Sequence, residues 1–216
     1  MGTLPIASAI VNIAVFLLAI YAWLSLALGK TQTEENLATN GIGSLRYFTV
    51  LSNLFSGIVC AVHFVTCGLL GNEASTWLLA LKLVATASVT LTFTTTLAVL
   101  TPMYGFKKLY AGANFWMHLI LPLLAIIDCC FFVPVSTLPF WYTALGIIPA
   151  AIYGAWYLTM LHIHGVEENG IVYDFYGFLR WGSSPLTITI VALVMFATMW
   201  INTLLLYWAN SMLFTG

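Results

Sequence analysis

Six long runs of apolar residues constrain this chain more than any other feature: Pro5 to Gly29, Tyr47 to Leu70, Trp77 to Leu100, Asn114 to Val133, Trp141 to Leu161 and Pro185 to Trp208. A hydrocarbon core about 30 Å thick takes about 20 residues of helix per crossing. Lipid offers the backbone no hydrogen-bond partner, so each run must satisfy its own amides as a helix. The breaks between runs, such as "KTQTEENLATNGIGSLR", "GNEAS" and "TPMYGFKKLYAGA", hold nearly all the charges and turn formers. Of 216 residues, 62% are hydrophobic and 6% charged, against about 25% charged in soluble proteins. The expectation is an all-α integral membrane protein, a six-transmembrane-helix bundle forming one domain over residues 1–216. Six basic residues and a net charge of -1 leave no basic face for nucleic acid.

The first run lacks a basic leader and exceeds a signal sequence in length, so it reads as a retained helix. Cys60, Cys67, Cys129 and Cys130 all fall inside runs, a poor arrangement for extracellular disulfides, and their spacing matches no zinc site. No internal repeat marks an inverted-repeat transporter.

Six crossings put both termini on one face, here face A, with the turns at residues 71–76 and 134–139. Lys30, Arg46, Lys107, Lys108 and Arg180 all fall in connections on the other, face B. The positive-inside rule then predicts face B in the cytoplasm and both termini outside.

The second run carries a polar row: Thr49, Asn53, Ser56, Cys60, His63 and Cys67 recur at spacings of four and three, along one side of a helix. That side belongs against protein, where small and polar residues allow close helix approach and bond across it. Thr49 lies within about a turn of Arg46, just inside face B. His118, four residues into the fourth run, is about 6 Å deep by helical rise and so level with Thr49. An intramembrane histidine is costly unless it pairs or works. From spacing alone it is either an interhelical hydrogen bond or part of a site.

Three segments, "RYFTVLSN" at 46–53, "MHLILPLLAIID" at 117–128 and "NGIVYDFYGFL" at 169–179, resemble the androgen-induced and androgen-dependent transmembrane family, most of all its small six-span bacterial relatives. The third departs from the family's tyrosine-proline pattern, with Asp174 in the proline's place. The resemblance implies an intramembrane threonine hydrolase that cleaves lipid esters, such as fatty acid esters of hydroxy fatty acids. It puts the nucleophile on Thr49 and the histidine on His118.

The chemistry is consistent with those residue types. A threonine hydroxyl is a weak nucleophile at neutral pH and requires a base within hydrogen-bond reach. His118 is the candidate base, and an acyl-threonine intermediate would be cleared by water. Developing oxyanion charge calls for fixed donors. Asn53, one turn below Thr49, is the first candidate, with Ser52 and Asn114 behind it, and Asn114 also able to orient the ring. Asp174 or Glu167 from the long face B loop are the candidate acidic partners for His118. No cofactor is implied, and the expected partners are a lipid ester substrate and membrane lipids.

Other readings compete with this one. His162, His164, Glu167 and Glu168 in "HIHGVEE", together with His118, invite a metal site, but four histidines in the chain are too few for a membrane oxygenase's histidine boxes. Lys82 and Asp128 lie at matching depths near face A, which predicts a structural salt bridge with His63 beside it, or alternatively an ion pathway. Hydroxyls crowd every side of the third run from Thr86 to Thr96 and can bond their own backbone. Pro122 should bend the fourth helix beside His118. Tyr104, Tyr110, Trp116, Tyr173, Tyr176 and Trp181 read as headgroup anchors. The classes in play are therefore a threonine ester hydrolase, a small-solute transporter or channel, and a noncatalytic lipid-binding protein.

Overall fold

Each apolar run is a helix long enough to cross a membrane: α1 Ile6–Ala27, α2 Phe48–Leu69, α3 Thr76–Tyr104, α4 Ala113–Phe131, α5 Phe140–His164 and α6 Pro185–Phe214. The structure, a computed structural model, describes residues 5–29, 41–177 and 184–214. Lys30, Arg180 and Trp181, used above for orientation and anchoring, lie outside the described residues. The six helices form an all-α bundle and make this a multi-pass membrane protein.

Local chemistry sets where these helices begin and bend. Ser75 accepts from the Leu78 amide at 3.3 Å and so caps α3. That helix runs on to Tyr104, beyond the expected end at Leu100, through a π-helical turn at Thr96–Leu100. Pro102 follows at the start of the next turn, where a missing amide costs little. In α4 the π-helical turn is Trp116–Ile120, just before Pro122. A proline at 122 cannot donate to the carbonyl of residue 118, so the backbone there widens instead of closing an ordinary turn. The expected disturbance beside His118 takes this form.

α3 is the centre of the bundle. Every residue from Lys82 to Thr92 is buried, and the helix packs against α2, α4, α5 and α6, while α1 lies on α2 and α4. Its hydroxyls largely bond their own helix, as Ser88 does to the Val84 carbonyl and Thr90 to the Thr86 carbonyl, both at 2.8 Å. Small residues permit the closest approaches: a β-carbon on Gly57 of α2 would lie 2.9 Å from that of Ala19 on α1.

On α2 the polar side turns inward and the apolar side outward. On α2, Asn53, Ser56, Cys60 and His63 are at most 2% exposed, whereas Ile58 and Val62 are 56% and 47% exposed. The row read from the sequence therefore faces protein. At the far end of the molecule, Asn210 of α6 donates to the Cys129, Cys130 and Val133 carbonyls at 2.7–3.1 Å and accepts from the Ser136 amide at 2.8 Å. It caps the C-terminus of α4, whose last carbonyls would otherwise be orphaned in a buried place.

Between α5 and α6 the chain forms a small antiparallel hairpin, β1 Glu167–Glu168 with β2 Ile171–Val172. Asn169 and Gly170 turn it with φ of 51° and 78°, the left-handed conformation that an Asn-Gly pair adopts most easily.

Candidate active site

Residues 46–53, the turn at Met117 and His118, and residues 172–176 meet at one end of the bundle. The 3₁₀ turn Gly41–Arg46 leads into α2, and the loop after the hairpin closes over this junction. Arg46 donates to the Val172 carbonyl at 3.2 Å and lies 5.0 Å from the centre of the Phe175 ring. The Phe48 amide, one of the four at the start of α2 with no partner in its own helix, donates to the Tyr176 hydroxyl at 3.0 Å. Tyr153 of α5 donates to the Arg46 carbonyl at 2.6 Å. Burial of the Tyr176 phenol pushes its pKa up to about 12, so the hydroxyl that receives the Phe48 amide stays protonated at neutral pH.

Asn53 joins this corner to α4. Its Nδ2 donates to the Thr49 carbonyl at 2.7 Å and to the Met117 carbonyl at 3.1 Å. With nitrogen and oxygen exchanged, an acceptor would face two acceptors, so the network itself fixes the orientation of the amide. One side chain thus holds the turn bearing Thr49 beside the turn bearing His118. Thr49 is partly exposed, in keeping with its place at the mouth of α2, and His118 is buried. Their side chains make no hydrogen bond to each other among the described residues.

The His118 ring is held from the other side. Its Nδ1 is 2.8 Å from the carbonyl of Leu109, the last residue of the short helix Phe106–Leu109. A carbonyl oxygen only accepts, so Nδ1 carries the proton and Nε2 keeps its lone pair. This is the tautomer a general base requires, and a main-chain carbonyl sets it.

Several expected partners are engaged elsewhere. Asp174 is buried, but it accepts from the Tyr157 hydroxyl at 2.6 Å and does not orient His118. The aromatic packing of Tyr157 against Phe175 and Tyr176 holds that carboxylate over α5. Glu167 is exposed on the hairpin. Asn53 commits both amide hydrogens to carbonyls, so it positions the two turns and has no hydrogen left for an oxyanion. Ser52 faces α3, 3.1 Å from the Thr92 hydroxyl and 3.1 Å from the Thr49 carbonyl. Asn114 is buried at the start of α4 without a hydrogen bond to the ring. Within the metal-site alternative, His164 pairs with Glu168 and stacks on Tyr173 with centroids 4.4 Å apart, and no three His, Cys, Asp or Glu side chains converge among the described residues.

The ionic pair near the other face is larger than depth matching foretold. Lys82 and Asp128 are 2.7 Å apart and at most 1% exposed. Ser8 and Asn12 of α1 donate to the two carboxylate oxygens at 2.6 and 3.0 Å, and Lys82 also donates to Asn12 Oδ1 at 2.6 Å and Cys60 Sγ at 2.9 Å. Four helices meet there. His63 is buried nearby on α2 but makes no bond to the pair, and its Nδ1 has no partner among the described residues. Ser8 and Asn12 were not anticipated, although two polar residues one turn apart in an apolar helix are a legible signal.

Two apolar grooves open elsewhere. One of about 320 Å³ lies between α1 and α2, with Phe16, Ala61 and Val65 in its wall, and one of about 270 Å³ lies among α3, α4 and α6 beside Thr94 and Asn202. Neither includes Thr49 or His118.

Compared with family models, curated proteins and solved structures, the chain finds no match. Its chemistry is therefore argued from its own residues.

Proposed function

We propose that the protein is an intramembrane hydrolase of lipid esters, with Thr49 as nucleophile and His118 as general base. The observation that carries this reading is the Asn53 amide, which ties the Thr49 turn to the His118 turn across two helices. The Leu109 carbonyl supports it by leaving Nε2 as the basic nitrogen. The resemblance of residues 46–53, 117–128 and 169–179 to the threonine hydrolase family described above points the same way.

In the proposed cycle, Thr49 Oγ1 forms a bond to the ester carbonyl carbon as its proton passes to His118 Nε2. The tetrahedral species collapses, the carbon–oxygen bond to the alcohol breaks, and the imidazolium returns the proton to that oxygen. Water then attacks the acyl-threonine, giving its proton to Nε2. The bond to Thr49 breaks, Oγ1 regains the proton, and the fatty acid leaves. The two side chains do not bond each other among the described residues, and the proposed cycle requires them to close on the substrate. Substrate approaching from the bilayer meets Thr49 at the partly exposed start of α2, on the end whose Arg46, Lys107 and Lys108 favour the cytoplasmic side.

The test uses a fluorophosphonate probe and a lipid ester on the purified full-length protein. Wild type and Thr95→Ala are expected to label and to release fatty acid, and Thr49→Ala to do neither. A wild-type protein that neither labels nor turns over any ester, or a Thr49→Ala variant as active as wild type, contradicts the proposal.

A further inference from the structure

The proposed hydrolysis lacks one component: a hydrogen-bond donor for the oxyanion, since both Asn53 hydrogens are committed to carbonyls. Among the described residues, a buried donor without a partner stands beside the His118 ring. Tyr110, in the turn following Phe106–Leu109, is 8% exposed, yet its hydroxyl is buried with no hydrogen-bond partner among the described residues. A buried phenol without a partner loses its hydration and gains nothing in return, an arrangement that native proteins seldom keep without a use. Its ring stands edge-on to the His118 ring, with centroids 6.4 Å apart and planes at 83°, and stacks on Phe106 at 4.3 Å. The same peptide unit that presents the Leu109 carbonyl to His118 Nδ1 carries the Tyr110 backbone nitrogen. The turn that carries the phenol thus also bonds the base.

A second buried group without a partner lies on the adjoining turn of α2. Asn53 Oδ1 is buried without a partner as well, on the side chain bonded to the carbonyl of Met117, the residue before His118. A free donor on the turn that bonds the imidazole and a free acceptor on the side chain tied to the preceding residue suit a ligand that offers both an oxygen acceptor and a hydroxyl. An ester carbonyl together with the alcohol or water at the reacting carbon is such a ligand.

We infer that Tyr110 is a catalytic residue that donates its phenolic hydrogen to the carbonyl oxygen of the ester as negative charge develops there. This rests on the proposed hydrolysis at Thr49. The hydrogen bond forms with substrate and strengthens as the carbonyl carbon becomes tetrahedral. A chain position beside face B points to a headgroup anchor, whereas the buried Tyr110 ring turns inward.

Tyr110→Phe removes the hydroxyl and nothing else. Steady-state hydrolysis of a fluorogenic fatty acid ester by the full-length protein, together with its thermal midpoint, tests the assignment. Tyr110→Phe is expected to lower kcat roughly 100-fold, with KM within about twofold and the midpoint unchanged or higher, because no existing bond is lost. Tyr104→Phe, at an exposed ring, is expected to match wild type. An unchanged kcat in Tyr110→Phe overturns the inference, and so does a fall in kcat accompanied by a lower midpoint, which would mark a structural role. Active wild type, inactive Thr49→Ala and fully active Tyr110→Phe would remove the Tyr110 role alone. Inactive wild type would remove the hydrolase reading as well.

Discussion

Lys82 and Asp128 illustrate how individual residues hold this bundle together. A charge taken into a membrane interior is tolerable only with a partner of opposite sign and with its remaining hydrogen-bond capacity filled. Asp128 has Lys82, Ser8 and Asn12 around its two oxygens, and Lys82 has Asn12 and Cys60 besides the carboxylate. Removing either charge strands the other. Lys82→Met and Asp128→Leu singly are expected to cost about 3–5 kcal/mol each. The double variant should lose much less than the sum, because it strands no charge. A double-mutant cycle on denaturation in detergent measures this, and additive losses would argue against the pair as the structural lock of α1 to α4.

Among the helices, closeness of approach is set by small residues. A β-carbon on Gly146 of α5 would fall 2.0 Å from Thr203 Oγ1 and 2.9 Å from Thr203 Cβ on α6, and Thr203 is fully buried. Gly146→Ala therefore forces α5 and α6 apart and should destabilise by about 1–3 kcal/mol. Gly154, on the same helix with open space where its β-carbon would be, supplies the control: Gly154→Ala should be neutral or stabilise by about 0.5–1 kcal/mol. Thermal or denaturant unfolding of the two variants checks both signs. The helices themselves were legible in the sequence, since hydropathy over about 20 residues reports a bilayer crossing directly. The inward side of α2 was legible from its three-and-four spacing, and the Lys82–Asp128 pairing from depth. The orientation of His118 was not, because its partner is the Leu109 main-chain carbonyl, and carbonyls leave no mark in a sequence. Asp174 looked available because it lies in a loop, but Tyr157 on α5 reaches it first. Asn210, which caps α4 from near the C-terminal end of α6, was missed for a related reason: one asparagine in an apolar run does not say which carbonyls it will meet.

Across the whole molecule the two ends have different tasks. At one, an ionic network clamps α1, α2, α3 and α4; at the other, about 15 Å away along α4 by helical rise, the three segments around Thr49, His118 and Tyr176 converge. The exposed helix surfaces are largely apolar, and the proposed route to Thr49 is the partly exposed start of α2. The most direct measurement of this account is where a fluorophosphonate attaches, read by peptide mass spectrometry of the labelled full-length protein. Attachment to Thr49, and its loss in His118→Gln, is the predicted result. Attachment to another hydroxyl, such as Ser52 or a threonine of α3, or labelling of Thr49 at an undiminished rate in His118→Gln, would contradict it.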